Sequence, residues 1–250
     1  MTAGPDILRA GEPALALARP LLPPEVALAA TDPREDHHRA LPEETAALGR
    51  VAPARAREFA AGRVAIRTAQ ARAGLALRPV PPGPDRAPRW PAGQIGSLAH
   101  CASACLAAVA PAGAIRALGL DLEEDRPLTP ELIPEISTAA ERAWLARLPG
   151  PEQGAGAMRL FVAKEAAYKA QYALSGRIFD FQMLSAPPPA PGGPIRLRFV
   201  QDVPPFAAGA EIAVRLGAGA GLIVAAACIA GPALPAPPDP ALTANEDTPR

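Results

Sequence analysis

The chain has 250 residues, 49% of them hydrophobic, which is enough to bury one substantial core or two smaller ones. Its 25 acidic and 25 basic residues balance, so no net field attracts it to nucleic acid or to an anionic membrane. The apolar run Gly221–Ala230 is too short to cross a bilayer, and Met1–Ala10 lacks the basic-then-apolar pattern of a signal peptide. Composition therefore predicts a soluble protein that binds neither nucleic acid nor membrane.

The first half of the chain reads as helical with one apolar segment. Leu41–Leu77 is predicted to be mostly helical, with an amphipathic part at Arg55–Arg72. Gly96–His100 is then predicted to be a loop that leads into a helix at the apolar stretch Cys101–Ala110. The three cysteines are odd in number and form no Cys-x-x-Cys pair, which favours free thiols and a reducing cytoplasm.

The second half alternates strands and helices. Ile115–Glu123 is predicted to be a strand, and Glu131–Leu148 and Met158–Tyr172 to be helices. A three-stranded meander follows, at Ile195–Val200, Glu211–Leu216 and Leu222–Ile229. This order predicts an α+β protein with an N-terminal lobe at 13–117 and a C-terminal lobe at 118–230. Residues 1–12 are expected to be flexible and the proline-rich tail 231–250 disordered.

Two carboxylates stand out in the predicted strand. Residues two apart in a strand face the same side, so Asp121 and Glu123 present their carboxylates together. Such a pair favours a hard cation such as Mg²⁺, which proteins often hold with two carboxylates and substrate phosphates. The alternative is a solvated strand end, because Glu124 and Asp125 continue the acidic run.

The only two lysines of the chain, Lys164 and Lys169, lie in one predicted helix. Glu165 and Lys169 are four residues apart and share a helical face, while Lys164 points elsewhere. With Asp121 and Glu123, Glu165 would complete a three-carboxylate magnesium site. The alternative is an exposed Glu–Lys pair, which contributes only about 0.3–0.5 kcal/mol.

His100 and three arginines are weaker candidates. His100 follows Gly96 and Ser97 at the predicted loop-to-helix junction, where free backbone N–H groups favour phosphate, although a structural role is an alternative. His37 and His38 lie in a polar loop and carry no signal of their own. The arginines are usually solubilising unless a polyanion lies nearby; they are Arg55, Arg57 and Arg63.

Five motifs in order resemble the 4′-phosphopantetheinyl transferases, and more narrowly the monomeric two-lobed class that serves siderophore, polyketide and nonribosomal peptide synthetases. The resemblance covers about residues 40–185. The motifs are Arg-x-Arg-Glu-Phe-Ala-Ala-Gly-Arg at 55–63, Trp-Pro-Ala-Gly at 90–93, Gly-Ser-Leu-Ala-His-Cys at 96–101, Gly-Leu-Asp-Leu-Glu at 119–123 and Phe-Val-Ala-Lys-Glu-Ala-Ala-Tyr-Lys at 161–169. It implies two similar lobes related by a pseudo-twofold axis, with the active site between them.

The resemblance also implies an activity and residue roles. The enzyme would transfer 4′-phosphopantetheine from coenzyme A to a serine of an apo acyl or peptidyl carrier protein, releasing 3′,5′-ADP. Mg²⁺ would be bound by Asp121, Glu123 and Glu165. Glu165, alone or through a water, would deprotonate the serine, and Lys169 would neutralise or protonate the departing phosphate. Coenzyme contacts would come from Arg55, Arg63, Ser97, Ala99, His100, Asp121, Lys169 and Phe179.

The chain departs from the family pattern at Ala99, where Ser or Thr is frequent, and at Phe161, where Trp is frequent. A frequent lysine ahead of the Trp-Pro motif is also missing, and Arg86 or Arg89 stands nearby. Two alternatives to the transferase are a catalytically silent carrier-binding module of the same fold and another magnesium-dependent enzyme acting on phosphate esters.

Overall fold

The computed structural model describes residues 11–46, 48–190 and 192–231. Most of the segment predicted to be flexible, 1–12, and all but one residue of the predicted disordered tail, 231–250, lie outside the described residues, so both stay predictions. Within the described ranges, no helix is long and apolar enough to cross a bilayer.

The first half forms a three-stranded antiparallel sheet with one long helix packed against it. The strand order is β1-β3-β2, and helix α3 contacts all three strands. The elements are α1 (Glu12–Ala18), β1 (Ala27–Thr31), α2 (Pro42–Thr45), α3 (Pro53–Arg72), β2 (Gln94–His100) and β3 (Cys105–Pro111).

The second half forms a five-stranded antiparallel sheet in the order β4-β8-β7-β6-β5. The long helix α6 packs against β4, β8, β7 and β6 and buries a face rich in alanine, so its backbone comes close to the sheet. The elements are β4 (Ile115–Glu124), α4 (Ile133–Ile136), α5 (Ala139–Leu145), α6 (Gly150–Ser175), β5 (Leu184–Ser185), β6 (Ile195–Phe199), β7 (Glu211–Gly219) and β8 (Leu222–Ala230).

This arrangement confirms the predicted α+β class. The strand at 115–123, the helix around 158–172 and the C-terminal meander are present, with α6 beginning earlier than predicted, at Gly150. The division into two similar lobes at 117/118, related by a pseudo-twofold axis, stays a prediction.

The prediction of a helix at Cys101–Ala110 is wrong. Cys105–Pro111 is a strand that forms an antiparallel hairpin with Gln94–His100. Six consecutive residues of this strand are buried, because α3 covers one face and the rest of the core covers the other. A strand buried on both faces loses the alternating pattern and reads like a short buried helix. His100 therefore ends a strand and does not precede a helix.

Two other predicted helices are shorter than expected. Leu41–Leu77 is divided into α2 and α3, and Pro53 begins the second helix. Glu131–Leu148 is divided at Ser137 and Thr138, which are extended. Thr138 caps α5, since its hydroxyl accepts from the Glu141 N–H and the Glu141 carboxylate accepts from the Thr138 N–H.

Strands β2 and β4 bring the two halves together. The Leu120 N–H donates to the Ser97 hydroxyl at 2.9 Å, in a buried position. A single apolar cluster spans the junction, with Leu106 from the first half and Leu120 and Val224 from the second. The acidic end of β4 is thus fixed between the first sheet and helix α6.

Candidate active site

A glycine sets the distance between strand β4 and helix α6. A Cβ atom at Gly119 would collide with the carbonyl oxygen of Ala166, so only glycine permits this close approach. Asp121 lies two residues beyond Gly119 on β4, and Lys169 lies one helical turn beyond Glu165 on α6. The close approach of the two elements therefore brings these side chains to one place.

The central contact of the site joins Lys169 to Asp121. The Lys169 Nζ donates to Asp121 Oδ1 at 2.6 Å. The other oxygen, Asp121 Oδ2, is buried and accepts no hydrogen bond among the described residues. A buried carboxylate oxygen without a partner is costly, so this oxygen is a candidate ligand atom.

Glu123 and Glu165 are two further carboxylates with perturbed acidity. Burial, followed by repulsion from Asp121, raises the pKa of Glu123 to about 7, while Lys169 opposes the shift. Burial also raises the pKa of Glu165, with Lys169 again opposing it and Asp121 adding to it. One lysine faces three carboxylates here, so the group carries excess negative charge whenever all three are ionised.

The donor set fits a hard divalent cation such as Mg²⁺. All the candidate ligand atoms are carboxylate oxygens, one of them is buried without a partner, and the surplus charge is negative. The three carboxylates are not drawn tightly together, however. Among the described residues, the only cluster of at least three His, Cys, Asp or Glu side chains with ligand atoms all within 4.8 Å of one another is Glu35, His37 and His38.

Lys164 points away from this group, as its helical position predicts. Its ammonium is 1% exposed and donates to the Glu141 carboxylate at 2.7 Å and to the carbonyls of Ile136 and Phe181, each at 2.9 Å. All three donors of the ammonium are satisfied. Lys164 therefore connects α6 to the segments that precede and follow this helix in the chain, and it is a structural residue.

A small cavity of about 100 Å³ lies beside Glu165. Phe179 lines it and packs edge-on against Tyr168 at 5.4 Å between ring centroids, so this residue, predicted to contact the coenzyme, shares a cavity with Glu165. The remaining lining residues are Lys164, Tyr168, Asp180, Phe181 and Leu184.

On the other side, His100 belongs to a three-residue cluster with Arg55 and Glu58. Arg55 Nη1 lies 3.2 Å from His100 Nε2 and donates to Glu58 Oε2 at 2.8 Å, while His100 Nδ1 contacts Glu58 Oε1. If Arg55 donates to Nε2, the imidazole is neutral with its proton on Nδ1. Burial lowers the pKa of His100; Glu58 opposes this, and Arg55 and Lys169 add to it.

Arg63 lies deeper in the same helix than sequence reasoning suggested. It is 3% exposed, and its guanidinium stacks over the Phe59 ring at 4.3 Å from the centroid. Burial lowers the pKa of Arg63 to about 10, which still leaves it cationic at neutral pH. Its Nε is buried without a partner among the described residues, so it keeps one donor. Arg57, the weaker candidate of the sequence, is exposed on the same helix.

Ser97 and Ala99, predicted to line the coenzyme site, are both buried in β2. The Ser97 hydroxyl is engaged by Leu120, next to Asp121. Two residues that support the site were missed by sequence reasoning. Glu58 lies inside the Arg-Glu-Phe motif, where no local pattern indicates its contact with His100, and Glu141 is 23 residues from its partner Lys164, beyond the reach of any local pattern.

Comparison with known proteins shows the family of the chain. Residues 43–110 match the 4′-phosphopantetheinyl transferase N-terminal domain family, and residues 117–220 match the 4′-phosphopantetheinyl transferase superfamily. The chain is 39% identical over 197 residues to the 4′-phosphopantetheinyl transferase Svp of Streptomyces mobaraensis, which covers 77% of this chain and 79% of that protein. The chain belongs to the 4′-phosphopantetheinyl transferase superfamily.

Two other 4′-phosphopantetheinyl transferases show similar identity over shorter segments. PptT of Mycobacterium tuberculosis is 37% identical over 142 residues, 57% of this chain and 62% of that protein. Npt of Nocardia iowensis is 34% identical over 145 residues, 58% and 64%. The family and enzyme class predicted from the five motifs are therefore confirmed: the chain is a 4′-phosphopantetheinyl transferase.

Proposed function

We propose that this phosphopantetheinyl transferase modifies the apo carrier domains of polyketide, nonribosomal peptide or siderophore synthetases, with coenzyme A as donor and 3′,5′-ADP as the second product. The observation that carries the proposal is the group formed by Asp121 and Lys169, joined at 2.6 Å with Glu123 and Glu165 beside them. Phosphoryl transfer needs positioning and charge neutralisation more than covalent chemistry from the protein.

In the proposed reaction the carrier serine hydroxyl attacks the β-phosphorus of coenzyme A. The new bond joins the serine oxygen to phosphorus, and the bond to the bridging oxygen of 3′,5′-ADP breaks. Glu165, whose pKa is raised by burial, accepts the serine proton. Lys169, within reach of Asp121, neutralises the phosphate that departs.

Asp121, Glu123 and Glu165 would hold Mg²⁺. When bound, the cation supplies Lewis-acid charge neutralisation of the pyrophosphate and a template for in-line attack. Two features of the protein favour its binding: Gly119 allows the close approach of β4 and α6, and Asp121 offers an oxygen that accepts from no donor of the described residues.

Coenzyme binding is proposed to extend from the carboxylates toward helix α3. Arg55 and His100 form a cluster at the end of β2, where a cation and an imidazole can receive the 3′-phosphate. Arg63 would support them through its remaining donor, and Phe179 would line the other end of the coenzyme site. Ser97 and Ala99, both buried, would shape the floor near Asp121. We further propose that the enzyme acts as a monomer in the cytoplasm.

The deciding experiment incubates the purified chain with coenzyme A, MgCl₂ and separate apo acyl and apo peptidyl carrier domains. We expect the carrier to gain one phosphopantetheine at its serine, with equimolar 3′,5′-ADP, and expect chelation to stop both. Asp121→Asn, which keeps the shape of the side chain, should lose transfer while melting normally. Carrier binding without a mass gain would identify a silent module, and phosphate-ester cleavage without transfer would identify a different enzyme.

A further inference from the structure

We propose that Glu35, His37 and His38 form a binding site for a zinc-like divalent cation, separate from the carboxylate group on β4 and α6. The three side chains lie in the loop that follows β1, and their ligand atoms all lie within 4.8 Å of one another. All three candidate ligands come from the first half of the chain. The proposal does not rest on the proposed function.

Two of the three spacings between the ligand atoms fit a tetrahedral metal site, and the third, between the two imidazole nitrogens, is within 4.8 Å. Glu35 Oε2 lies 3.2 Å from His38 Nε2 and 3.5 Å from His37 Nε2. With zinc–nitrogen and zinc–oxygen bonds of about 2.0–2.1 Å, the ligand atoms of a tetrahedron are about 3.3–3.4 Å apart. Two imidazoles and one carboxylate are also a common ligand set for zinc with one open position.

The Nε2 atom of His38 is a preorganised ligand. The His38 side chain is 7% exposed, so its position is fixed by its surroundings. Its Nε2 also lies 3.1 Å from the carbonyl oxygen of Asp32, which places a second oxygen at the same nitrogen. Without a cation, a proton on His38 Nε2 is donated to these two oxygens, of Glu35 and Asp32. When a cation is bound, the Asp32 carbonyl can supply a further oxygen ligand.

The loop that carries the site is held at both ends. At its start, the Thr31 hydroxyl donates to the Ala61 carbonyl of α3 at 2.8 Å. At its end, Arg67 of α3 donates to the Arg39 carbonyl at 2.5 Å and to the Glu44 carboxylate at 2.6 Å. Because the backbone is tied down on each side, the three ligand side chains do not have to be ordered by the metal alone, which favours affinity.

Magnesium is not the cation that this site should prefer. Imidazole nitrogen is a borderline ligand that suits zinc, whereas magnesium prefers oxygen ligands such as those of Asp121, Glu123 and Glu165. An excess of MgCl₂ can therefore occupy the carboxylate group without displacing zinc from the histidines. This difference makes the two sites separable in one experiment.

The test uses the full chain without a histidine tag, in excess MgCl₂ at pH 7.5, titrated with ZnCl₂. Since the chain has three histidines, imidazole ¹⁵N NMR reports on each one. We expect one zinc per chain, shifts at His37 and His38 but not at His100, and only nitrogen and oxygen neighbours in zinc X-ray absorption. Sulfur neighbours, or unchanged imidazole signals at saturating zinc, would overturn the proposal.

Variants provide the second arm. His37 is 56% exposed, so His37→Gln should fold, and we expect it to weaken zinc binding by about tenfold or more. The matched controls are His100→Gln, which removes a histidine elsewhere, and Glu25→Gln, an exposed carboxylate; both should keep wild-type zinc affinity. Zinc should also raise the melting temperature of the wild type but not of His37→Gln. Equal zinc affinity in His37→Gln and the wild type would contradict the site.

Discussion

Lys169 reaches from helix α6 to strand β4 and donates to Asp121, whose other carboxylate oxygen is buried and has no hydrogen-bond partner in the described part of the chain. An ammonium can serve both this carboxylate and a phosphate oxygen as a compact charge, whereas a guanidinium is wide and planar. We expect Lys169→Arg to lower the turnover number about 10²–10³-fold at saturating coenzyme A, with little change in melting temperature. Turnover close to that of the wild type would remove Lys169 from the proposed chemistry.

Replacing Lys164, in contrast to Lys169, should lower the stability of the protein. Its ammonium is fully buried and bound to Glu141 and two carbonyls, so Lys164→Met leaves these acceptors buried without a donor. We expect a loss of about 3–5 kcal/mol in the free energy of unfolding, measured by urea denaturation. The control is Arg126→Met, which removes the exposed partner of Glu124 and should cost about 0–1 kcal/mol. Equal losses in the two variants would refute the structural role.

Gly119→Ala tests the close approach of β4 and α6. The added methyl group would meet the carbonyl oxygen of Ala166, so the helix must shift away from the strand. We expect a loss of about 1–3 kcal/mol in stability and a larger proportional loss of transfer activity, since the contact between Asp121 and Lys169 depends on this distance. Gly150→Ala is the matched control, because no atom of the residues that the structure describes would lie in contact with the added methyl group. It should leave both quantities unchanged.

The lowered pKa of His100 predicts a specific pH dependence of stability. Burial is its main cause, so the unfolded chain binds this proton at a higher pH than the folded protein does. The contribution of His100 is fully present above pH 6.5 and is lost as the pH falls from there through the folded pKa. We expect the melting temperature to fall more between pH 7.5 and 5 in the wild type than in His100→Gln. The same fall in both would mean that other groups carry the effect.

The sequence predicted those parts of the fold in which the hydrophobic pattern of a segment fits only one type of secondary structure. The strand 115–124 and helix α6 have the length and apolar content of a single element type, and the carboxylates two residues apart on β4 followed from strand geometry. The hairpin of β2 and β3 was missed because β3 is buried on both faces and loses its period of two.

The candidate site was predictable to the extent that its residues share a local pattern. Glu165 and Lys169 are one helical turn apart, so their shared face was predicted. The sequence placed Asp121 and Lys169 in one site but did not predict the contact between them. The buried pair of Lys164 and Glu141, and the cluster of Arg55, Glu58 and His100, depend on tertiary contacts over 23 and 45 residues. Glu35, His37 and His38 are close in sequence, yet the short distances between their ligand atoms, on which the proposed zinc site rests, are visible only in the structure.

The position of strand β8 has a consequence for how the chain acquires its structure during synthesis. Leu222–Ala230 is the last strand of the described residues to be made, yet it lies between β4 and β7 and contacts helix α1 from the start of the described chain. The apolar cluster that holds Ala14 and Leu106 is completed by Val224. A nascent chain that has not yet released β8 from the ribosome therefore exposes apolar surface in both of its halves. We expect the protein to become protease-resistant in one late step and not half by half.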